Sequence, residues 1–160
     1  MMRPRSSGLQ REIKQAVPFS SPGQEALVGI LRTSDVVRRR LQGLVARQGI
    51  TLQQYNVLRI LRGAGGEGLP TLEIAERMLE RTPGITRLLD RLERADLVRR
   101  TRGSEDRRQV TCRARPKGLR VLAALDAPIQ GAHRSCLGDL TEPESGTLVR
   151  LLNRVRAEPG

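Results

Sequence analysis

The sequence predicts a mostly α-helical fold with one small β-hairpin, an α+β arrangement in which helices predominate. Apolar residues recur at helical spacing over most of the 160 residues. Helix-start signals, a Ser or Thr followed by Pro or by Glu/Gln three residues on, recur along the chain. Only residues 97–114 switch to strand-type alternation around a polar turn.

Each element follows from local chemistry. Residues 1–20 are mostly polar, while Leu9, Ile13 and Ala16 or Val17 recur at helical spacing, so a basic arm with one short helix is expected. Ser21-Pro22-Gly23-Gln24 joins an N-cap, a proline at the first helical position and a glutamine three residues after the cap. A helix should run from there to about Gln48, with Leu27, Leu31, Val37, Leu41 and Leu44 as its apolar stripe and Arg38, Arg39, Arg40 and Arg47 around it. Gly49 ends it. Thr51-Leu52-Gln53-Gln54 is a second capping box, with Ile50 placed to staple onto Tyr55, and predicts a helix over about 52–62.

Residues 63–68 read as a turn, and Leu69-Pro70 as a strand stub. Thr71 should cap a helix reaching about Met78. Thr82-Pro83 repeats the cap-then-proline signal and opens the next helix. There Ile85, Leu88, Leu89 and Leu92 pack, leaving Gly84, Thr86, Arg87, Asp90, Arg91 and Arg94 on the outer face. Residues 97–101 and 109–114 flank a polar turn and predict a hairpin with an arginine-rich tip. Pro116 restarts a helix with Leu119, Leu122 and Leu125 on its apolar side, which Pro128 should kink or break. Thr141-Glu142-Pro143-Glu144 caps a last helix expected to bury Leu148, Leu151, Leu152 and Val155.

Composition excludes several classes. Phe19 and Tyr55 are the only aromatics, so the core must be aliphatic and stacking modules for single strands are disfavoured. The longest apolar run, residues 26–31, falls far short of the roughly 20 residues a bilayer span needs. No membrane partner is expected. The basic N-terminus lacks the apolar stretch of a secretory leader, so a cytoplasmic location is expected. Cys112, Cys136 and the single His133 are too few for a disulfide framework or a zinc site. No paired carboxylates, nucleophile–base pair or phosphate-cradling loop stands out, so neither an enzyme nor a cofactor is expected.

Charge points to a partner. The chain holds 29 Lys+Arg against 17 Asp+Glu, a formal +12, and all but Lys14 and Lys117 of the cations are arginine. Fourteen basic and six acidic residues fall within residues 77–120, a local +8 that concentrates two thirds of the net charge. Such a field attracts a phosphate backbone, whose counterions arginines release; a merely solvated basic surface is the plainer alternative.

Helix, turn, helix and a two-stranded hairpin within residues 51–114 is the order of a winged helix-turn-helix. A helix fits the major groove of duplex DNA and meets base edges through its N-terminal residues, so Thr82, Pro83, Gly84, Thr86, Arg87 and Arg91 are the candidate contacts there. Arg102, Arg107 and Arg108 on the hairpin are candidates for the neighbouring minor groove.

Residues 51–118 resemble the multiple-antibiotic-resistance regulator (MarR) family of winged-helix transcription factors. The resemblance is carried by Thr51-Leu52-Gln53-Gln54-Tyr55-Asn56-Val57-Leu58-Arg59-Ile60-Leu61, by Glu73-Ile74-Ala75-Glu76-Arg77, by Ile85-Thr86-Arg87-Leu88-Leu89-Asp90-Arg91-Leu92-Glu93, and by Asp106-Arg107-Arg108-Gln109-Val110 leading to Lys117-Gly118. It implies a homodimer on a pseudo-palindromic operator, most often a repressor released by a small-molecule ligand. It implies Arg108 as the minor-groove arginine, Asp106 as the acid that orders the wing, and Thr86 and Arg87 as recognition-helix contacts. The organisation expected is an arm over 1–20, a helical dimerisation region over 21–50 and 115–157, and a DNA-binding domain over 51–114. Independently, aliphatic stripes at both chain ends need a larger partner surface than the winged core offers, which a second copy supplies.

The chain departs from the family pattern at Asp96, where glycine is usual, and at Arg115, where a threonine cap is usual. Asp96 would then be a strained left-handed residue. Cys112 reads as a small strand residue, although basic neighbours could lower its thiol pKa. Tyr55 is the candidate contact for an anionic or phenolic effector, against a simpler role in the staple. A nonspecific architectural DNA-binding protein is the alternative reading.

Overall fold

A computed structural model describes residues 8–80, 83–102 and 110–157. The order is α1 (Gly8–Glu12), α2 (Pro22–Ala46), α3 (Leu52–Gly63), a 3₁₀ turn (Gly65–Glu67), β1 (Leu69–Pro70), α4 (Thr71–Glu76), α5 (Ile85–Arg94), β2 (Val98–Arg102), β3 (Val110–Ala114), α6 (Pro116–Leu137) and α7 (Glu142–Arg156). The strands form one antiparallel sheet in the order β1-β3-β2, so the fold is the mostly helical α+β class expected. The chain divides into two compact units, Met1–Arg40 and Leu41–Gly160.

In the first unit the short helix α1 pairs with α2 through Glu12 and Arg32, whose Oε1 and Nε are 2.7 Å apart. Ser21 Oγ accepts the Gln24 N–H at 3.1 Å, as a capping serine should. The reciprocal bond lands one residue earlier than the box predicts, with Gln24 Oε1 accepting the Ser20 N–H at 2.7 Å.

In the second unit the core is aliphatic. Val45, Val57, Leu58, Leu61, Ile74, Leu89, Leu92, Val98 and Leu122 are fully buried, drawn from α2 to α6. α3 opens with the full capping box, Gln54 N–H to Thr51 Oγ1 at 3.2 Å and Thr51 N–H to Gln54 Oε1 at 2.9 Å. Gly68, at φ 74°, leads into β1 so close to β3 that a Cβ would stand 2.3 Å from the Cys112 carbonyl oxygen. Only glycine passes there.

Four expectations are corrected. Thr71 does not cap α4: it is the first helical residue, and its hydroxyl donates instead to the Val110 carbonyl of β3 at 3.4 Å, because β1 pairing brings that strand alongside. Of the kink or break expected at Pro128, the break does not occur, because α6 runs on to Leu137; the proline removes one backbone bond, while Leu122, Leu125 and Ile129 anchor the helix in the core on either side of it. Leu119 of the expected stripe is exposed. α7 begins at the predicted box, yet none of its residues is buried: Leu148, Leu151 and Val155 are exposed and Leu152 is half-buried, so its apolar row is not part of the core of the second unit.

Candidate nucleic-acid interface

The candidate site is built on α5, which starts at Ile85 rather than at Pro83. Gly84 adopts φ 88°, a left-handed conformation no helix can contain, so it becomes the residue before the helix, and Pro83 lies in the turn. This corrects the expected cap at Thr82, a residue that lies outside the described residues. Leu88, Leu89 and Leu92 anchor the inner face of α5 in the core.

The outer face carries two parallel stripes. Arg87, Arg91 and Arg94, at i, i+4 and i+7, form a basic row about 10 Å long on the exposed side. None of the three has a carboxylate partner among the described residues. Asp90 and Glu93 stand on the neighbouring side of the helix, which faces β2. There Arg100 neutralises both acids, with Nη2 at 2.6 Å from Asp90 Oδ1 and 2.7 Å from Glu93 Oε2. The Arg100 hydrogen bond holds the Glu93 carboxyl below the usual carboxylate range. The face presented outward is therefore cationic although the helix contains two acids.

Pro83, Gly84, Arg87, Leu88 and Arg91 line an open cleft of about 540 Å³ with Gln53 from the first turn of α3. Five of these six residues belong to α5 or the turn before it, so expected contacts Pro83, Gly84, Arg87 and Arg91 do come together, with Thr86 exposed beside them. Arg102 is exposed at the end of β2 where the hairpin begins. Asp106, Arg107 and Arg108 lie outside the described residues. Tyr55 is half-buried against the aliphatic core. The sequence places Arg94 on the outer face without marking it as a contact, and it gives no sign of Gln53, whose place in the cleft depends on how α3 packs near α5.

The hairpin base is rigidly held. Val98 to Arg102 of β2 pair with Val110 to Ala114 of β3, placing Arg100 opposite Cys112. Cys112 is fully buried, and burial pushes its thiol up, only partly opposed by the Thr71 hydroxyl 3.9 Å away. The lowered thiol pKa considered from sequence is thus corrected. Among the described residues no group of three or more His, Cys, Asp or Glu is arranged to hold a metal ion. No described helix is long and apolar enough to cross a membrane.

Known proteins share this architecture. The sequence pattern of the MarR family matches residues 50–110. A MarR transcription factor from Planctomyces limnophilus is 39% identical, with 84% of this chain and 98% of that one covered and a TM-score of 0.66. The homoprotocatechuate degradative operon repressor of Escherichia coli is 25% identical over 125 residues, 78% of this chain and 83% of its own length. BpsR of Bordetella bronchiseptica, described as regulated in its DNA binding by 6-hydroxynicotinic acid, is 21% identical with a TM-score of 0.71, over 82% of this chain and 99% of that one. With that identity across almost the whole of the Planctomyces structure, and with the helix-turn-helix and hairpin in place, this chain belongs to the MarR family of transcriptional regulators.

Proposed function

We propose that two copies of this chain bind a pseudo-palindromic operator, with α5 of each in the major groove and the hairpin in the adjoining minor groove. The observation that carries this is the row of Arg87, Arg91 and Arg94, without a carboxylate partner among the described residues, on a helix whose acids are already neutralised. Thr82, Pro83, Gly84, Thr86, Arg87 and Arg91 serve as the major-groove contacts, Arg102, Arg107 and Arg108 as those of the wing, and Asp106 orders the wing.

The second copy follows from surface chemistry. Leu31 on α2 is 64% exposed, and on α7 Leu151 is 45% and Val155 62% exposed. Apolar rows of this kind at both ends of a chain call for burial against a partner, and residues 21–50 and 115–157 are assigned that role, leaving 51–114 to the DNA. The action is repression, as the name of the Escherichia coli relative has it, and it is relieved by a small anionic or phenolic effector; regulation of BpsR DNA binding by 6-hydroxynicotinic acid supports a small-molecule effector. Tyr55 is the candidate contact for that effector.

Selection of bound duplexes from a random pool tests the reading. A preferred, two-fold symmetric sequence is expected, and competition by random duplex at fixed salt should leave it largely bound. Arg87→Ala should weaken binding by roughly 1–3 kcal/mol and relax preference at one base position if Arg87 reads a guanine. Equal loss on selected and random duplexes would leave only nonspecific, architectural binding.

A further inference from the structure

We propose that Arg100, Asp90 and Glu93 form a clamp that fixes the wing against the recognition helix and thereby sets sequence preference, an inference that rests on the DNA-binding reading above. Arg100 stands on β2 and its guanidinium spans two carboxylates one turn apart on α5. Nη2 lies 2.6 Å from Asp90 Oδ1 and 2.7 Å from Glu93 Oε2, and Nε donates to Glu93 Oε2 at 2.8 Å. Glu93 Oε1 also accepts the Arg100 backbone N–H at 3.0 Å, so side chain and strand backbone are both tied to one carboxylate. The pairs Arg39–Asp35 and Arg77–Glu73, by contrast, each lie within a few residues of one another along the chain and join no two elements of the interface.

The clamp acts in two ways. It discharges two acids beside the Arg87, Arg91 and Arg94 row, where free carboxylates would repel a phosphate backbone. Its planar fork also fixes where β2, and with it the hairpin, leaves α5. Helix and hairpin that enter adjoining grooves must be in register with each other. An error in that angle penalises the matched duplex, whose contacts depend on geometry, far more than a random one held by charge.

Glu93, Asp90 and Arg100 are therefore positioning residues, and two variants separate positioning from charge. Glu93→Gln keeps an acceptor for the Arg100 N–H while removing a negative charge. Arg100→Lys keeps the positive charge but has no planar fork to hold both acids. Affinities for a duplex selected by the wild-type chain and for a random duplex are compared at one salt concentration.

Glu93→Gln should bind random duplex more tightly, because the net charge rises, yet its selected-to-random ratio should fall about tenfold, and Arg100→Lys should lose about as much of the ratio. A ratio that Arg100→Lys retains within about twofold overturns the clamp, whatever Glu93→Gln does, since charge alone then suffices. A wild-type chain that selects no duplex overturns the DNA-binding reading itself, which is a different result from a clamp variant with undiminished preference.

Discussion

Asp96 Oδ1 lies 2.7 Å from Arg115 Nη1, while Asp96 itself is held at φ 63° in the left-handed region. The two residues that the sequence resemblance marks as departures are thus partners, joining the turn after α5 to the residue before α6. The same junction is tied by the Arg115 N–H to the Leu97 carbonyl at 2.9 Å and by Lys117 Nζ to the Ala95 carbonyl at 2.8 Å. An aspartate tolerates φ > 0 better than most residues, and its pair with Arg115, both side chains about half exposed, contributes well under about 1 kcal/mol. Asp96→Ala loses both advantages and should destabilise the fold by about 1–2 kcal/mol, whereas Asp96→Gly should stay within about 1 kcal/mol of wild type. Urea midpoints measure this, and an alanine variant with an unchanged midpoint would remove the strain argument.

Gly118 belongs to the same junction. A Cβ there would stand 2.4 Å from the Leu97 carbonyl oxygen and 3.0 Å from Leu58 Cδ2. The Leu97 oxygen is held in place by the Arg115 N–H, so the helix start must move instead. Gly118→Ala should cost about 2–4 kcal/mol, despite alanine being the better helix former, and lower the thermal midpoint by many degrees. A midpoint at or above that of wild type would show that α6 can shift freely.

Glu93 gives stability an acid-side pH dependence. Its folded-state carboxyl titrates below the value of about 4.3 in an unfolded chain because Arg100 binds the charged form. The stabilisation is therefore complete above the unfolded value and is lost as pH falls through the lowered folded one. Urea midpoints between about pH 5 and pH 3 should fall less steeply in Glu93→Gln than in wild type. Identical slopes would mean that the carboxylate gains nothing from Arg100 on folding.

What was legible in the sequence was local. The capping boxes at Thr51 and Thr141 and the Leu88, Leu89, Leu92 row form as read, because each depends only on residues within two turns. Thr71 resembled a cap until a strand some forty residues later supplied its hydroxyl with a nearer acceptor. The Thr82-Pro83 signal masked Gly84, whose left-handed conformation delays α5. The α5 basic row was partly readable from spacing, but Asp90 reads as outward-facing from sequence, and only the register of β2 carries Arg100 to it. Burial on α7 was misread since periodicity reveals an apolar face without saying which chain covers it.

Cys112 should be chemically silent in the folded chain. It is fully buried beneath β1 pairing, and burial raises its thiol, so little thiolate is present to react. In a Cys136→Ser background, which leaves Cys112 as the only thiol, alkylation should require unfolding and track the urea transition. Labelling at the rate of a free thiol in native buffer would show that the sheet edge opens locally.

In the dimer proposed above, the apolar face of α7 is the surface that pairs the two copies. Leu151 and Val155, at i and i+4, are both exposed, and an isolated chain would keep that row in water. Buried between two copies, each side chain contributes on the order of 1.5–3 kcal/mol, and two-fold symmetry counts every such contact twice. Leu151→Glu should place a carboxylate in that interface from both sides and raise the dimer dissociation constant by at least about a hundredfold. Sedimentation equilibrium should show a dimer for the wild type at micromolar concentration and a monomer for the variant, with helix content retained because α7 packs no core residue. Operator binding should weaken in parallel, because two half-sites are then engaged by separate chains. A variant as dimeric as wild type would assign the second copy to another face.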